Sequence, residues 1–152
     1  MSTLTTAPTI LLVEDDDNDV VLIQRALRKS TIVASLQTVR DGEQAIHYLG
    51  GEGEYADRGK FPLPLMVLLD LKLPRRTGHE VLQWVRAREG LKRLPIVVLT
   101  SSRESADVNR AYDLGANSYL VKPVTFDSLT ELVKTLDLYW LLMNERPEVD
   151  GS

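Results

Sequence analysis

Five short runs of apolar and β-branched residues recur along the chain, and the stretches between them follow a different period. The runs are Thr9–Val13, Leu36–Val39, Leu65–Leu69, Ile96–Thr100 and Ser118–Val121. The first, third and fourth are apolar almost without interruption. An unbroken apolar strand has to be covered on both faces, which is the condition of a parallel sheet between helices. The intervening stretches supply those helices, with apolar residues three and four apart. They read Val20, Leu22, Ile23, Ala26, Leu27; then Ala45, Ile46, Leu49; then Val81, Leu82, Val85; then Ala106, Val108, Ala111, Tyr112. Phe126, Leu129, Val133, Leu136, Trp140 and Met143 predict one long last helix. Strands alternating with helices in this way predict an α/β fold, a (βα)5 doubly wound, five-stranded parallel sheet.

A length of 152 residues suits one domain with one core. We place that domain at 9–144, between a flexible N-terminus at 1–8 and a flexible tail at 145–152. The segment 50–64, rich in glycine, proline and charge, reads as a long loop inserted before the third strand. No apolar run approaches the roughly 20 residues that span a bilayer, and the N-terminus lacks the pattern of a signal peptide. The absence of cysteine fits a reducing cytoplasm. A net charge of −4 argues against binding a nucleic-acid backbone. The expectation is a cytoplasmic protein with neither nucleic acid nor membrane as partner.

Parallel strands deliver their carboxyl ends to one edge of the sheet, where open α/β folds bind ligands. Strand one ends in Glu14-Asp15-Asp16-Asp17, strand three in Asp70, strand four in Thr100-Ser101 and strand five in Lys122-Pro123. Clustered carboxylates repel one another and call for a cation. Oxygen donors without histidine or cysteine favour Mg²⁺, with Mn²⁺ as the alternative. Asp70 then serves as a carboxylate nucleophile, Lys122 pairs first with it and then with a phosphoryl oxygen, and Thr100 hydrogen-bonds the arriving group. Asp17, Asn18 and Asp19 fall where the first helix starts, and capping accounts for them. His47 and His79 have no partner at ligand spacing, and Tyr119 reads as a buried or edge aromatic.

Four blocks carry a resemblance. Ile10-Leu11-Leu12-Val13-Glu14-Asp15-Asp16, Leu68-Leu69-Asp70-Leu71-Lys72-Leu73-Pro74 with Gly78, Val98-Leu99-Thr100-Ser101 and Tyr119-Leu120-Val121-Lys122-Pro123 resemble the response-regulator receiver domain, in family order from Thr9 to Met143. The resemblance implies a flavodoxin-like strand order of 2-1-3-4-5. It implies Mg²⁺ held by Asp15, Asp70 and the main-chain carbonyl of Lys72, with Glu14 acting through water. Thr100 falls on the switch hydroxyl, Lys122 on the site lysine and Tyr119 on the aromatic that changes rotamer with it. Lys122-Pro123 falls on a cis-prolyl turn.

The 50–64 insertion, Asp41-Gly42-Glu43-Gln44-Ala45, Gly53-Glu54-Tyr55 and Leu91–Ser101 resemble more narrowly the small response regulators paired with cyanobacterial and bacterial phytochromes. The implied partner is a sensor histidine kinase, a phytochrome among the candidates. The implied output is a change in the helix 4–strand 5–helix 5 surface; with no output domain expected after helix five, it is read by another protein, by a second copy of this one, or by return of the phosphate through a relay. Leu132, Leu138, Leu141 and Leu142 lie off the Phe126–Val133–Trp140 line, and this second apolar stripe predicts a homodimer through the C-terminal helix. Two competing readings stay open. A haloacid-dehalogenase-type enzyme needs a second acid two residues past its nucleophile, where this chain has Lys72. A docking module without phosphorylation needs a missing acceptor, and none is missing.

Overall fold

In a computed structural model, residues 7–101 and 105–143 are described. The predicted tail and most of the predicted flexible N-terminus lie outside them. Strands β1 (Thr9–Val13), β2 (Ser35–Val39), β3 (Met66–Asp70), β4 (Ile96–Thr100) and β5 (Ser118–Val121) form one parallel sheet in the order β2-β1-β3-β4-β5. The expected order is the one found. The third strand sits one residue later than predicted, so that Asp70 is its last member rather than the residue beyond it.

Every residue of β1, β3 and β4 is buried, as their unbroken apolar runs required. The two-residue period of a strand divides them between two cores. Ile10, Leu12, Met66, Leu68, Val97 and Leu99 face one side, against α1 (Asp17–Lys29) and α5 (Phe126–Thr135). Leu11, Val13, Val67, Leu69, Ile96 and Val98 face the other, against α2 (Gly42–Gly50), α3 (Gly78–Ala87) and α4 (Ser105–Asp113). α3 and α5 each open with a capping box, Thr77 with Glu80 and Thr125 with Ser128, which satisfies amide donors at their starts. α1 is capped by Asp16, one residue earlier than the predicted Asp17, through bonds from the amides of Asn18 and Asp19. No helix among the described residues is long and apolar enough to cross a membrane.

The C-terminal region corrects the sequence reading. α5 stops at Thr135, the backbone turns at Asp137 with φ of 61°, and a short α6 (Tyr139–Leu142) follows. Beyond the break Leu142 goes into the core while Trp140 and Leu141 face outward; within α5, Leu132 is buried and Phe126 is exposed. The second stripe is therefore mostly interior, with Leu141 its exposed member, while Phe126 and Trp140 of the predicted core-facing line are exposed instead; a dimer surface has those three side chains to use.

The 50–64 segment differs from a simple loop. It contains a 3-10 turn at Gly53–Ala56, and Tyr55 and Phe61 close on Tyr48, with ring centroids 5.0 and 5.9 Å from it. Arg58 reaches across to donate to the carbonyls of Tyr48, Leu49 and Phe61 at 2.8, 3.0 and 3.1 Å. Two of those carbonyls belong to the last turn of α2, where the helical amides run out; that of Tyr48 also receives the amide of Gly51 at 3.1 Å. The insertion is a packed clasp on the end of that helix.

Candidate functional site

Parallel register brings the charged residues together without any help from the loops. Val13 pairs with Leu69, so Glu14 follows beside Asp70; Thr100 pairs with Val121, and the amide of Lys122 then donates to the Thr100 carbonyl at 2.8 Å. Gly78, at the start of α3, makes room for this edge. A Cβ there would lie 2.3 Å from the carbonyl oxygen of Asp70 and 2.7 Å from the Cα of Leu71. Only a residue without a side chain lets α3 begin so close to the acceptor strand.

Glu14, Asp15 and Asp70 each offer an oxygen within 4.8 Å of the others; Glu14 and Asp70 are buried, Asp15 exposed. Lys122 Nζ stands in the middle of this edge. It donates to Asp19 Oδ2 at 3.0 Å and to Asp70 Oδ2 at 3.1 Å. It also lies 2.7 Å from Glu14 Oε2, but off the direction a hydrogen bond needs. We treat that contact as an attraction of charges, because Glu14 Oε2 remains a fully buried acceptor without a directed donor. Glu14 Oε1 receives the amide of Asp16 at 3.1 Å, and Asp70 Oδ1 receives the amide of Lys72 at 3.2 Å.

One ammonium shared among this many acids cannot neutralise them. Burial raises Glu14 to about 7, and the charge of Asp70 adds to the rise, while Lys122 and the Asp16 amide offset only part of it. For Lys122, burial alone would lower the pKa, but the close contacts with Glu14 and Asp19 and the charge of Asp70 outweigh it, and the net shift is upward. The two directions agree physically: the lysine is surrounded by acid, whereas Glu14 has a third of a cation. An orphaned buried carboxylate oxygen beside two further acids, with no nitrogen or sulfur donor in the cluster, fits a hard divalent cation.

Most of the residues expected here arrive. Asp70, Lys72 and Thr100 line one narrow cleft together with Asp107, and Thr100 is buried at the end of β4. Lys72 touches Asp70 through its backbone amide, and its side chain is exposed. The Lys122–Pro123 peptide is cis, as expected. Tyr119 is outside the cleft, exposed on the edge strand and edge-on to Tyr112 at 6.1 Å. His79 bonds the carbonyl of Asp107 at 3.3 Å and His47 is exposed, so neither joins the site. Asp19 is the residue the sequence reading assigned elsewhere: capping explained it fully, and only the fold shows its carboxylate on Lys122.

A strand-end aspartate, an acidic pair and a lysine converging on a parallel sheet define a phosphoacceptor module. The family model of the response regulator receiver domain matches residues 10–134, and the chain belongs to that family. Among curated proteins, the probable methanogenesis regulatory protein FilR2 of Methanothrix harundinacea is 42 % identical over 91 % of this chain and 86 % of its own. Response regulator Rcp1 of Synechocystis is 42 % identical over 87 % of this chain and 88 % of its own. The Mn²⁺-bound form of Rcp1 superposes with a TM-score of 0.72 at 40 % identity, covering 93 % of this chain and 99 % of that one. The phosphorylated cyanobacterial phytochrome response regulator RcpA gives 0.74 at 42 %, covering 90 % and 95 %. The receiver module is thus homologous to phytochrome response regulators.

Proposed function

We propose that residues 9–144 form the receiver of a two-component phosphorelay, with Asp70 as the residue that takes the phosphoryl group. The observation that carries this is the placement of Asp70 Oδ2 3.1 Å from Lys122 Nζ, inside the acidic cluster at the carboxyl edge of the sheet. An Asp70 oxygen attacks the phosphorus of a phosphohistidine on a sensor histidine kinase. The new O–P bond forms as the P–N bond breaks, and the imidazole leaves with a proton from solvent. Lys122 holds the acceptor and then the transferred oxygens, and the Thr100 hydroxyl turns to them. Asp15, Asp70 and the carbonyl of Lys72 would hold Mg²⁺ or Mn²⁺, with Glu14 acting through water. The cation would supply charge neutralisation at the acceptor. The module itself turns over no separate substrate.

A phosphoryl group adds about −1.5 to −2 charges at the sheet edge. Thr100 and Lys122 move towards it, and Tyr119, exposed and edge-on to Tyr112, follows; the α4–β5–α5 face changes as a result. The phosphorylated state of RcpA supports this reading, and the phytochrome partnership of RcpA supports a phytochrome as the kinase. We place the protein in the cytoplasm with its kinase. Homodimerisation through the C-terminal region would use Phe126, Trp140 and Leu141, and sedimentation of both phosphorylation states tests it.

The central test is incubation with Mg²⁺ and acetyl phosphate followed by intact mass. One added phosphate is expected in the native chain and none in Asp70→Asn. A phosphate retained in Asp70→Asn would overturn the assignment.

A further inference from the structure

One acid on Lys122 lies outside the cluster that fits a cation. Asp19 stands in the first turn of α1, with its side chain 24 % exposed, and its Oδ2 accepts from Lys122 Nζ at 3.0 Å. Helix formation does not call for it, because Asp16 already caps α1 and Asp17 supplies a further acid to its first turn. The other two acids touching Lys122, Glu14 and Asp70, both belong to the cation-fitting cluster with Asp15. Glu14 and Asp70 would turn to a divalent cation held there, and its charge would repel the Lys122 ammonium. Lysine has a flexible four-carbon stem and no intrinsic reason to stay. Among the described residues, Asp19 is the one acid contact of Lys122 that this exchange leaves in place.

We propose that Asp19 is a positioning residue that anchors Lys122 beside Asp70 while a divalent cation occupies the Glu14–Asp15–Asp70 cluster. An ammonium has three protons to donate. With one held by Asp19, two remain for Asp70 and the incoming phosphoryl oxygens. Asp19 itself touches neither the cation nor the phosphoryl group. The inference rests on the reading of Asp70 as acceptor, and it adds a residue to that site.

The test uses the full chain with Asp19→Asn, Asp19→Glu, Lys122→Gln and the Asp19→Asn/Lys122→Gln pair. In protein carrying ¹⁵N-lysine, a buried, bonded ammonium gives a protected Nζ signal. That signal is expected to persist when Mg²⁺ is added to the native protein and to Asp19→Glu, and to weaken in Asp19→Asn, whose amide oxygen accepts without a charge. At saturating Mg²⁺, labelling by acetyl phosphate is expected to slow about fivefold in Asp19→Asn, where a neutral amide oxygen replaces the charged acceptor, and to recover in Asp19→Glu. In Lys122→Gln the second substitution should add no further loss, since Asp19 acts through the lysine. An unchanged Nζ signal in Asp19→Asn with Mg²⁺ overturns the proposal, and so does an additive loss in the double variant. If the native chain takes no phosphate at all, the acceptor reading fails, and the Nζ signal still decides the anchoring.

Discussion

The two ends of the sheet hold their half-buried cations in opposite ways. At the carboxyl end, Lys122 sits among Glu14, Asp19 and Asp70, and one buried carboxylate oxygen still lacks a directed donor. At the amino end, Arg86 and Arg58 sit among neutral oxygens that they satisfy. Arg86 donates to the carbonyls of Gly115, Lys92 and Leu94 at 2.8–2.9 Å and to Asn117 Oδ1 at 2.9 Å, which in turn receives the amide of Ile96. Arg58 closes the last turn of α2 in the same manner. Guanidinium geometry suits several fixed carbonyls, whereas an ammonium is a mobile point charge. The difference separates an end that is finished from one that is built to receive something.

The comparison predicts that stability resides at the amino end and chemistry at the carboxyl end. Arg86→Ala removes the tie between α3 and the starts of β4 and β5, and should cost about 3 kcal/mol, lowering the melting temperature by about 10 °C. Its acetyl phosphate labelling, per folded molecule, should match the native chain; a loss of labelling would break the division. Arg58→Ala frees the 50–64 clasp from α2 and should cost about 2 kcal/mol in denaturant titration, with the same indifference of labelling.

The charged end should show itself through pH. Between the ordinary value of 4.5 and about 7, Glu14 keeps a proton in the folded protein that the unfolded chain has released. Raising the pH through that window therefore favours unfolding, and cation-free protein should lose stability across it. Lys122, shifted upward, stays protonated in both states over this range and adds no slope. Thermal melts of Glu14→Gln should be flatter, and saturating Mg²⁺, which prefers the ionised carboxylate, should reverse the native slope. The smallest effect belongs to Asp17, whose side chain is 84 % exposed in its pair with Arg40. Asp17→Ala should change stability by less than about 0.5 kcal/mol and leave labelling alone, in contrast with Asp19→Asn two residues on.

Much of the site was legible because each residue ends a strand. Once the apolar runs at Thr9–Val13 and Ile96–Thr100 are read as parallel strands, Glu14 and Thr100 have to share an edge with Asp70 and Lys122. The Asp19 contact was not legible, since the first turn of a helix accounts for an aspartate just as well as a lysine from a strand 103 positions later. The break after Thr135 was hidden for a related reason. The period from Phe126 to Met143 continues across it, and an unbroken helix and two phase-shifted pieces place apolar residues at similar spacings.

The sequence by itself determined the alternation of strands and helices, the burial of β1, β3 and β4, and the gathering of acids, hydroxyl and lysine at one edge, because these follow from local period and from the direction of parallel strands. Tertiary structure decided which acids share Lys122, which apolar side chains of the C-terminal region are interior, and that 50–64 is a clasp. Those outcomes depend on distances between segments far apart in the chain, and no local pattern encodes a distance of that kind.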